Sequence, residues 1–498
     1  MTVAQTARED EKNLLPVFLS PTDITTNLAC VEDDLKSSEE MAIRKKRCQL
    51  AMLSFFCGAI WLMVLFVPYV LLLQSPDEAH VESPKREWGT PETGLDEFGS
   101  WDVGINVHGW TRADCAANAN WTMTRFPMPP YPNHTVQYAS ASFALPLTLE
   151  VLHLVGRGSL ARGTVHITDT GVASSGEVIF NVEIGFLHNK TFDETTVCLM
   201  RPRQNRYGVG IFSPPGLDSP EYAGSFTIDV QIPPGPSRDS PSLVKQLELD
   251  MPQFEIKVDH LQDTVLFDTI SLSTSNKPII ADSLAARRAT LRTSQAEIEG
   301  RFNISSSLSL ITSRAPIRAD TQLRNSGSLQ DGATALWART SFPGPLDLTA
   351  ELISPPSIPG TFQIDARASE SPLTIRTFVA PPPSPPPSQP APFPGPFPPA
   401  RPPFLALTAL TSGAPASVAL HPGWEGTFAL RSSEVAPSLE YDPAAPDPSG
   451  RGRTRKVQIV REREGELGGY VEWAPGGQGD AGGRVVVGTM RGPVALRF

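Results

Sequence analysis

The chain has 498 residues, with 53 acidic and 42 basic side chains, and a formal net charge of −11. This charge argues against a nucleic-acid-binding protein, because such a protein needs a basic face to displace counterions from phosphates. Hydrophobic residues make up 40% of the chain, which excludes a wholly disordered polymer. The 50 prolines are incompatible with a mainly helical protein, since proline removes a backbone donor and clashes inside a helix.

The N-terminal segment, residues 1–43, contains nine acidic and three basic residues and no sustained hydrophobic period. This composition is typical of a disordered acidic tail. We expect the tail to lie in the cytosol, because the basic residues that follow it predict a cytosolic N-terminus, as described below.

Residues 50–73 are 24 consecutive positions without a formal charge. As a helix they would span about 36 Å, enough to cross a hydrocarbon core of about 30 Å. The alternatives are a cleaved signal peptide and a buried core helix, but a signal peptide has a shorter apolar stretch near the N-terminus. The sequence therefore predicts a transmembrane signal-anchor helix with its basic flank at 44–74, and the lipid bilayer as a partner.

The flanks of this segment predict its orientation. Four basic residues occupy positions 44–47, whereas Asp77, Glu78 and Glu82 follow the apolar run. Because basic flanks stay on the cytosolic side, the remainder of the chain faces the lumen or the exterior. Residues 75–97, polar and rich in proline, are predicted to be a stalk.

Asn-x-Ser/Thr glycosylation sequons occur only after the apolar segment, which agrees with that orientation. They begin at Asn120, Asn133, Asn189 and Asn303. Cys115 and Cys198 are the two cysteines beyond the apolar segment, so they are predicted to form a disulfide in an oxidising compartment. Two unpaired buried thiols are the alternative.

Residues 98–240 have the pattern of an N-terminal β unit. Apolar and polar residues alternate at 145–154, 177–184 and 226–232, with turn residues between these runs. Short strands at this spacing indicate an all-β structure.

A repeat is the most informative feature of residues 241–380. Thr274, Thr293 and Thr312 are 19 residues apart, and each copy has a Leu two residues before the threonine and an Ile five after it. A period of about 20 residues with strand character is typical of a β-solenoid, in which Leu and Ile would stack as rows about 4.8 Å apart. A β-sandwich with similar hairpins is the alternative. The predicted fold class is all-β, with a β-solenoid preceded by the smaller β unit.

Residues 381–403 interrupt this pattern with 14 prolines in 23 positions. They are predicted to be an extended polyproline insertion, either a passive spacer or a ligand for a proline-recognition domain. The alternation of residues typical of strands resumes at residue 404, and residues 411–415 and 487–496 are similar to the repeat. Residues 404–498 are therefore predicted to be C-terminal β coils.

No motif assigns a catalytic activity. The sequence has no CxxC, HExxH, EF-hand, GxSxG or GxxxxGK[ST] pattern, so no catalytic residue, metal ligand or cofactor is predicted. Asp282, Arg301 and Asp320 each lie eight residues after a repeat threonine and should align on neighbouring strands. They are interpreted as a self-compensating charge ladder or as a ligand face for a sugar or an anion.

A second group of basic residues lies at 451–463 (RGRTRKVQIVRER). It is interpreted as a solvated loop, with binding of acidic glycans or lipid headgroups as the alternative.

Several segments carry a family resemblance: Ala141-Ser-Phe-Ala-Leu-Pro, Gly158-Ser-Leu-Ala-Arg-Gly, Leu291-Arg-Thr-Ser, and Gly-Thr-Phe at 360–362 and 426–428. With the anchored β ectodomain, they resemble uncharacterised fungal single-pass membrane proteins whose ectodomain is similar to an adhesin-like β-solenoid family of unknown function. The resemblance covers residues 98–380 and the C-terminal coils. It implies a display or recognition role and transfers no catalytic residue.

Two functions follow as expectations. The first is a non-catalytic, glycosylated β-solenoid displayed at the cell surface or in the secretory pathway, with a glycan, a cell-wall polymer or a protein as its ligand. The second is a β-helix polysaccharide lyase or hydrolase, which would need paired carboxylates in a groove.

Overall fold

Strands account for nearly all regular structure in the computed structural model. The structure describes residues 111–128, 131–170, 176–217, 224–325, 332–355, 358–380, 403–448, 450–474 and 482–498. In these ranges it contains 27 strands, one α-helix, α1 (Asn189–Asp193), and one 3₁₀ turn (Arg112–Asp114). The predicted all-β class is confirmed.

The strands fall into three groups along the chain. The first group is β1 (Cys115–Asn118), β2 (Thr122–Met128), β3 (Tyr131–Pro146), β4 (Val151–Arg157), β5 (Arg162–Asp169), β6 (Glu177–Phe186), β7 (Thr196–Arg203), β8 (Arg206–Phe212) and β9 (Gly224–Ile232). The second group is β10 (Ser242–Asp250), β11 (Gln253–His260), β12 (Val265–Ser273), β13 (Ile279–Thr293), β14 (Ile298–Thr312), β15 (Ile317–Arg324), β16 (Thr334–Thr340), β17 (Leu346–Ile353), β18 (Thr361–Ala368) and β19 (Leu373–Val379). The third group is β20 (Phe404–Thr411), β21 (Ala416–Ala419), β22 (Gly426–Ser432), β23 (Ser438–Glu440), β24 (Thr454–Arg463), β25 (Glu466–Ala474), β26 (Gly483–Thr489) and β27 (Val494–Arg497).

Most of these strands pair in parallel, in two long ladders. In the first ladder the order of neighbours is β8, β4, β10, β12, β13, β14, β16, β18, β20, β26, β22. In the second ladder it is β9, β5, β11, β13, β14, β15, β17, β19, β21, β27, β23. The strands β13 and β14 have 15 residues each and belong to both ladders, so all 27 strands form one continuous sheet.

The repeat positions lie in register across these ladders. Leu272 is opposite Leu291, and Leu291 is opposite Leu310, in the first ladder. Ile279, Ile298 and Ile317 are opposite one another in the second. All six side chains are fully buried. The predicted alignment of aliphatic rows is confirmed, and these rows form the core because strand side chains alternate between the two faces.

The repeat threonines lie where the chain leaves the first ladder and turns toward the second. Thr274, Thr293 and Thr312 are buried, and each hydroxyl donates to a backbone carbonyl of the turns. Because the threonine hydroxyls are themselves buried, these bonds satisfy a polar group that has left water and add to the backbone hydrogen bonds of the turns.

Prolines occupy the position directly before the second ladder. The carbonyls of Pro316, Pro345, Pro372, Pro415 and Pro493 each accept the amide of the apolar residue that begins a neighbouring strand, and the carbonyl of Pro278 accepts the amide of Ile256 within β11. Proline has no amide to donate and a fixed φ, so it is tolerated at a turn and disfavoured inside a strand. This row explains part of the high proline content.

Antiparallel strands close both ends of the ladders. At the N-terminal end β7 and β1 extend the first ladder, and β6, β3 and β2 extend the second. At the C-terminal end β25 and β24 extend the first ladder, while the second ends at the three-residue strand β23. Arg461, Glu462 and Arg463 are exposed on β24. A short strand and a charged strand both discourage pairing with another chain.

The boundary predicted at residue 240 is not a break in the sheet. β10 pairs in parallel with β4, and β11 pairs in parallel with β5. What changes there is the pairing: strands before the boundary also form antiparallel pairs, whereas β10 to β21 pair only in parallel with one another.

Several predicted segments lie outside the described residues. They are the acidic tail at 1–43, the anchor at 44–74, the stalk at 75–97 and all of the proline-rich insertion except Pro403. In the part of the chain that the structure describes, no helix is both long and apolar enough to cross a bilayer.

Candidate ligand-binding faces

Asp282, Arg301 and Asp320, here called the acid–base row, lie on neighbouring strands of the second ladder. Arg301 is directly opposite Asp320, and all three side chains are exposed. Arg301 Nε donates to the backbone carbonyl of Asp282 over 2.8 Å, so it holds the main chain of Asp282. The carboxylate of Asp282 lies 3.7 Å from Nε2 of His260.

Other charges on the outward face of the second ladder are also paired. Arg318 lies 3.5 Å from a carboxylate oxygen of Glu297 and 3.8 Å from one of Glu299. Arg376 lies 3.8 Å from a carboxylate oxygen of Asp347. Exposed pairs of this kind contribute little to stability, but they cancel the local field. The acid–base row is therefore part of a mixed-charge surface.

The outward face of the first ladder carries a different row. Arg292, Ile311, Arg339 and Arg367 occupy the position just before the repeat threonine or its equivalent on β13, β14, β16 and β18, and they are opposite one another. We call these four residues the arginine row. Adjacent strands are about 4.8 Å apart, so Arg292 and Arg339 are about 10 Å apart and Arg339 and Arg367 about 5 Å.

The charges of this row are only partly compensated. Arg367 makes a two-point ion pair with Asp365, at 2.8 and 2.9 Å. Arg292 is exposed and Arg339 half-buried, and neither guanidinium has a carboxylate within ion-pair distance among the described residues. The arginine row thus contains two positive charges that no described carboxylate compensates.

An aromatic side chain lies beside the arginine row. Trp337 is half-buried, on the same face of β16 as Arg339 and two residues before it. Its neighbours across the ladder are Ser309 and Asp365, and Thr290 lies one strand further on. This combination of an indole, guanidinium groups and hydroxyls offers an apolar surface surrounded by hydrogen-bonding groups.

Sequence reasoning missed the arginine row, although a signal was present. The motifs Leu291-Arg-Thr-Ser, Ala338-Arg-Thr-Ser and Ala366-Arg-Ala-Ser place an arginine at the same repeat position. The intervals between them are unequal, so only the pairing of the strands aligns them.

Three clefts in the described part of the chain lie away from the acid–base row. A cleft of about 620 Å³ is lined by Arg162, Glu255 and Lys277, and one of about 540 Å³ by Tyr441, Arg455 and Phe498. A third, of about 520 Å³, is polar and is lined by Asn120, Ser142, Asn181, Glu183 and Asp229. Asp282 and Asp320 line none of these three.

The structure contains no candidate metal centre in the ranges it describes. No group of three or more His, Cys, Asp or Glu side chains is placed there so that it could hold an ion.

The predicted sequons differ in their surroundings. Asn120 and Asn189 are exposed, and Asn189 Oδ1 accepts a hydrogen bond from Gln137 over 2.9 Å. Asn303 is half-buried within β14, paired with neighbours on both sides. Asn133 lies in β3, and its side chain is outside the described set.

Cys115 and Cys198 are joined by a disulfide that links β1 to β7. Their Cα atoms are 5.6 Å apart, within the range usual for a disulfide. The bond attaches the edge strand β1 next to a small cluster of Val155, Met200 and Phe212.

The basic run at 451–463 is not a solvated loop, and this part of the prediction is wrong. Residues from Thr454 onward form β24, and Arg455 is buried, donating to the carbonyls of Phe498 and Pro422. Its guanidinium also lies 4.8 Å from the Trp473 ring centroid. These contacts were not visible in the sequence because they join segments 18 to 43 residues apart.

Arg453, in the same basic run, is also bound by other residues of the chain. It forms ion pairs with Glu425 at 2.8 Å and Asp447 at 3.2 Å. Burial alone would lower the pKa of Arg453, but hydrogen bonds to Asp447 and Glu425 raise it. Burial lowers the pKa of Arg455. Arg453 thus joins Glu425 to Asp447, and Arg455 joins the carbonyls of Pro422 and Phe498, at the C-terminal end of the sheet.

Comparisons with known proteins yield no family. No family model matches the chain, and no curated protein matches it. Among solved structures, a putative cell adhesion protein from Clostridium sporogenes ATCC 15579 is similar over 72% of this chain and 99% of that one, with 9% sequence identity and a TM-score of 0.14. A TM-score of this size does not establish a shared fold.

Proposed function

We propose that the chain is a single-pass type II membrane glycoprotein that displays a non-catalytic, adhesin-like β-solenoid for recognition or structural roles at the cell surface or in the secretory pathway. The membrane part of this proposal depends on the uncharged segment at 50–73, its basic flank and the one-sided sequons. The display part depends on the parallel stacking of strands in the two ladders.

The observation that carries the proposal is one buried row that continues through seven strands of the second ladder. The position of Ile279 continues through Ile298, Ile317, Leu346, Leu373, Ala416 and Val494. Two strands per repeat, stacked in parallel with turns at a constant position, are what a solenoid requires. Solenoids expose long, regular faces, which suit extended ligands.

The charges favour recognition over hydrolysis. In the acid–base row an arginine lies between the two aspartates, and the row is exposed on a strand face, away from the three clefts described above. Glycoside hydrolysis needs two carboxylates that flank the scissile bond inside a substrate site.

The topology can be tested with the full-length chain tagged at both ends in microsomes. We expect protease to remove the N-terminal tag and to spare the C-terminal tag. Asn120→Gln and Asn189→Gln should each remove one endoglycosidase-sensitive step, whereas Asn118→Gln, a change at an exposed asparagine outside any sequon, should remove none. Digestion of the C-terminal tag in intact microsomes would overturn the membrane proposal.

The display role can be tested by incubating the full-length protein with a panel of neutral and acidic polysaccharides. Binding and the release of reducing ends are measured in parallel. We expect binding to at least one polymer without chain cleavage. Time-dependent release of reducing ends that Asp282→Asn or Asp320→Asn abolishes would replace the display role with that of a carbohydrate-active enzyme.

A further inference from the structure

Arginines on the outward faces of both ladders form pairs with acidic side chains. Arg318–Glu297 and Arg376–Asp347 are such pairs on the second ladder, and Arg287–Asp268 and Arg367–Asp365 on the first. On the first ladder, Arg292 and Arg339 have no such partner among the described residues, although the chain as a whole is acidic. Uncompensated arginines on an acidic protein mark a surface that attracts anions locally.

The direction of the arginine row indicates the shape of the ligand. The row crosses β13, β14, β16 and β18, so it runs perpendicular to the strands and along the stacking direction. A ligand that meets Arg292 and Arg339 together must be extended over about 10 Å. A linear polymer meets this requirement, whereas a single small anion is shorter than this distance.

The groups beside the row indicate the chemistry of the ligand. Guanidinium groups bind carboxylates and sulfates in a two-point geometry. Trp337 provides an apolar surface on which a sugar ring can pack, and the hydroxyls of Thr290, Ser309 and Thr408 lie in the same outward row as Trp337. Asp365 holds Arg367 and disfavours a second anionic group at that place, which leaves Arg292 and Arg339 as the main anion contacts.

We infer that the arginine row and Trp337 form a binding site for an acidic polysaccharide, a polymer of sugars with carboxylate or sulfate groups. This inference deepens the proposed recognition role and rests on it. The polymer lies across the strands, with acidic groups on Arg292 and Arg339 and a sugar ring on Trp337.

The test measures binding of the full-length protein to polygalacturonate as the carboxylate probe, heparin as the sulfate probe and dextran as the neutral probe. We expect at least one acidic probe to bind and dextran to bind at least roughly tenfold more weakly, with the affinity for the acidic probe falling as salt is raised. The double variant Arg292→Gln/Arg339→Gln should weaken binding of the acidic probe at least roughly tenfold, because two charge-assisted contacts are lost.

The matched control is the double variant Arg318→Gln/Arg376→Gln, which removes the same charge from the second-ladder face. It should leave the affinity within about twofold, since those arginines are already paired. Trp337→Ala should lower the affinity for the acidic probe that binds and for dextran, if dextran binds at all. Trp337→Phe should restore part of that lost affinity. Thermal unfolding of each variant verifies that it is folded.

Three results would overturn the inference: equal losses in the two double variants, equal binding of dextran, or no binding of either acidic probe. If a neutral polymer or a protein binds instead, the recognition role stands while the acidic-polysaccharide site is wrong. The ratio of the affinities for polygalacturonate and heparin identifies whether carboxylate or sulfate is the preferred group.

Discussion

Thr293 and Thr312 lie directly opposite each other on β13 and β14, and both side chains are buried at the turn between the two ladders. The hydroxyl of Thr293 donates to the carbonyl of Ser275, and that of Thr312 to the carbonyl of Ala296, each over 3.4 Å. Each threonine thus bonds the turn of the preceding repeat. The row of threonines connects successive turns as the rows of Leu and Ile connect successive strands.

This relationship predicts the effect of Thr312→Val. The change keeps shape and strand propensity but removes the hydrogen bond to the half-buried carbonyl of Ala296, so the free energy of unfolding should fall by about 1 kcal/mol. Thr290→Val, on the outward face of β13, should change it by less than about 0.5 kcal/mol. Chemical denaturation of the two variants measures the difference, and equal losses would contradict a role for the turn hydroxyl.

Leu310 and Ile311 are consecutive in β14 but point to opposite faces. Leu310 is fully buried in the row with Leu272 and Leu291, whereas Ile311 is partly exposed in the arginine row. Leu310→Ala should cost about 2–5 kcal/mol of unfolding free energy, because it leaves a cavity in a packed core. Ile311→Ala should cost about 1 kcal/mol or less. A larger loss at Ile311 than at Leu310 in urea titrations would mean that the assigned faces are reversed.

The proposed solenoid predicts that one repeat can be removed. Deletion of residues 294–312 joins Thr293 to Ser313 and removes a full 19-residue repeat, so each remaining strand meets a partner in the same register. We expect a folded protein with a β-type circular dichroism spectrum and a cooperative thermal transition.

The control for this deletion is the same deletion with Ala289, a buried residue inside β13, also removed. The resulting slip reverses inward and outward side chains along part of β13, and we expect an unfolded or aggregated product. If both deletions fold equally well, the register does not define the structure.

His421 predicts a dependence of stability on pH. Burial lowers its pKa from 6.5 to about 4, so the folded protein keeps this imidazole neutral where the unfolded chain would protonate it. The unfolded state binds more protons between these two values, so stability falls as pH decreases from about 6.5 toward 4, by at most about 3 kcal/mol.

The variant His421→Leu should remove that part of the pH dependence. The difference between the unfolding free energies at pH 7 and pH 4.5 should then be smaller than in the wild type. We expect this reduction to be about 2 kcal/mol or more. His188→Gln, at an exposed histidine, should leave the wild-type difference in place. An unchanged slope in His421→Leu would show that other groups cause the acid sensitivity.

The acid–base row and the arginine row show how far local pattern predicts a site. Asp282, Arg301 and Asp320 follow the 19-residue repeat, so counting from the threonines was enough to place them on adjacent strands. Arg292 and Arg339 are 47 residues apart and Arg339 and Arg367 are 28 apart, because Ile311 occupies the row position between the first two and insertions before β16 and β18 lengthen the later repeats. Their alignment depends on backbone pairing over distances that a count of residues does not provide.

The C-terminal strands were beyond prediction for a related reason. β26 lies between β20 and β22 in the first ladder, so the spatial order differs from the order along the chain. The hairpin of β24 and β25 is inserted before β26, and Arg455 is buried by residues from three separate segments, Pro422, Trp473 and Phe498. Charged residues in sequence suggest exposure, whereas partners remote in sequence can bury them.

The amino-acid sequence by itself determined the strand character, the inward aliphatic positions and the turns marked by threonine and proline. These features depend on neighbouring residues, through side-chain alternation, φ restriction and hydroxyl bonding within one repeat. The tertiary structure alone decided which strands become neighbours and therefore which charges are compensated and which remain free, because ladder hydrogen bonds join segments regardless of their separation along the chain.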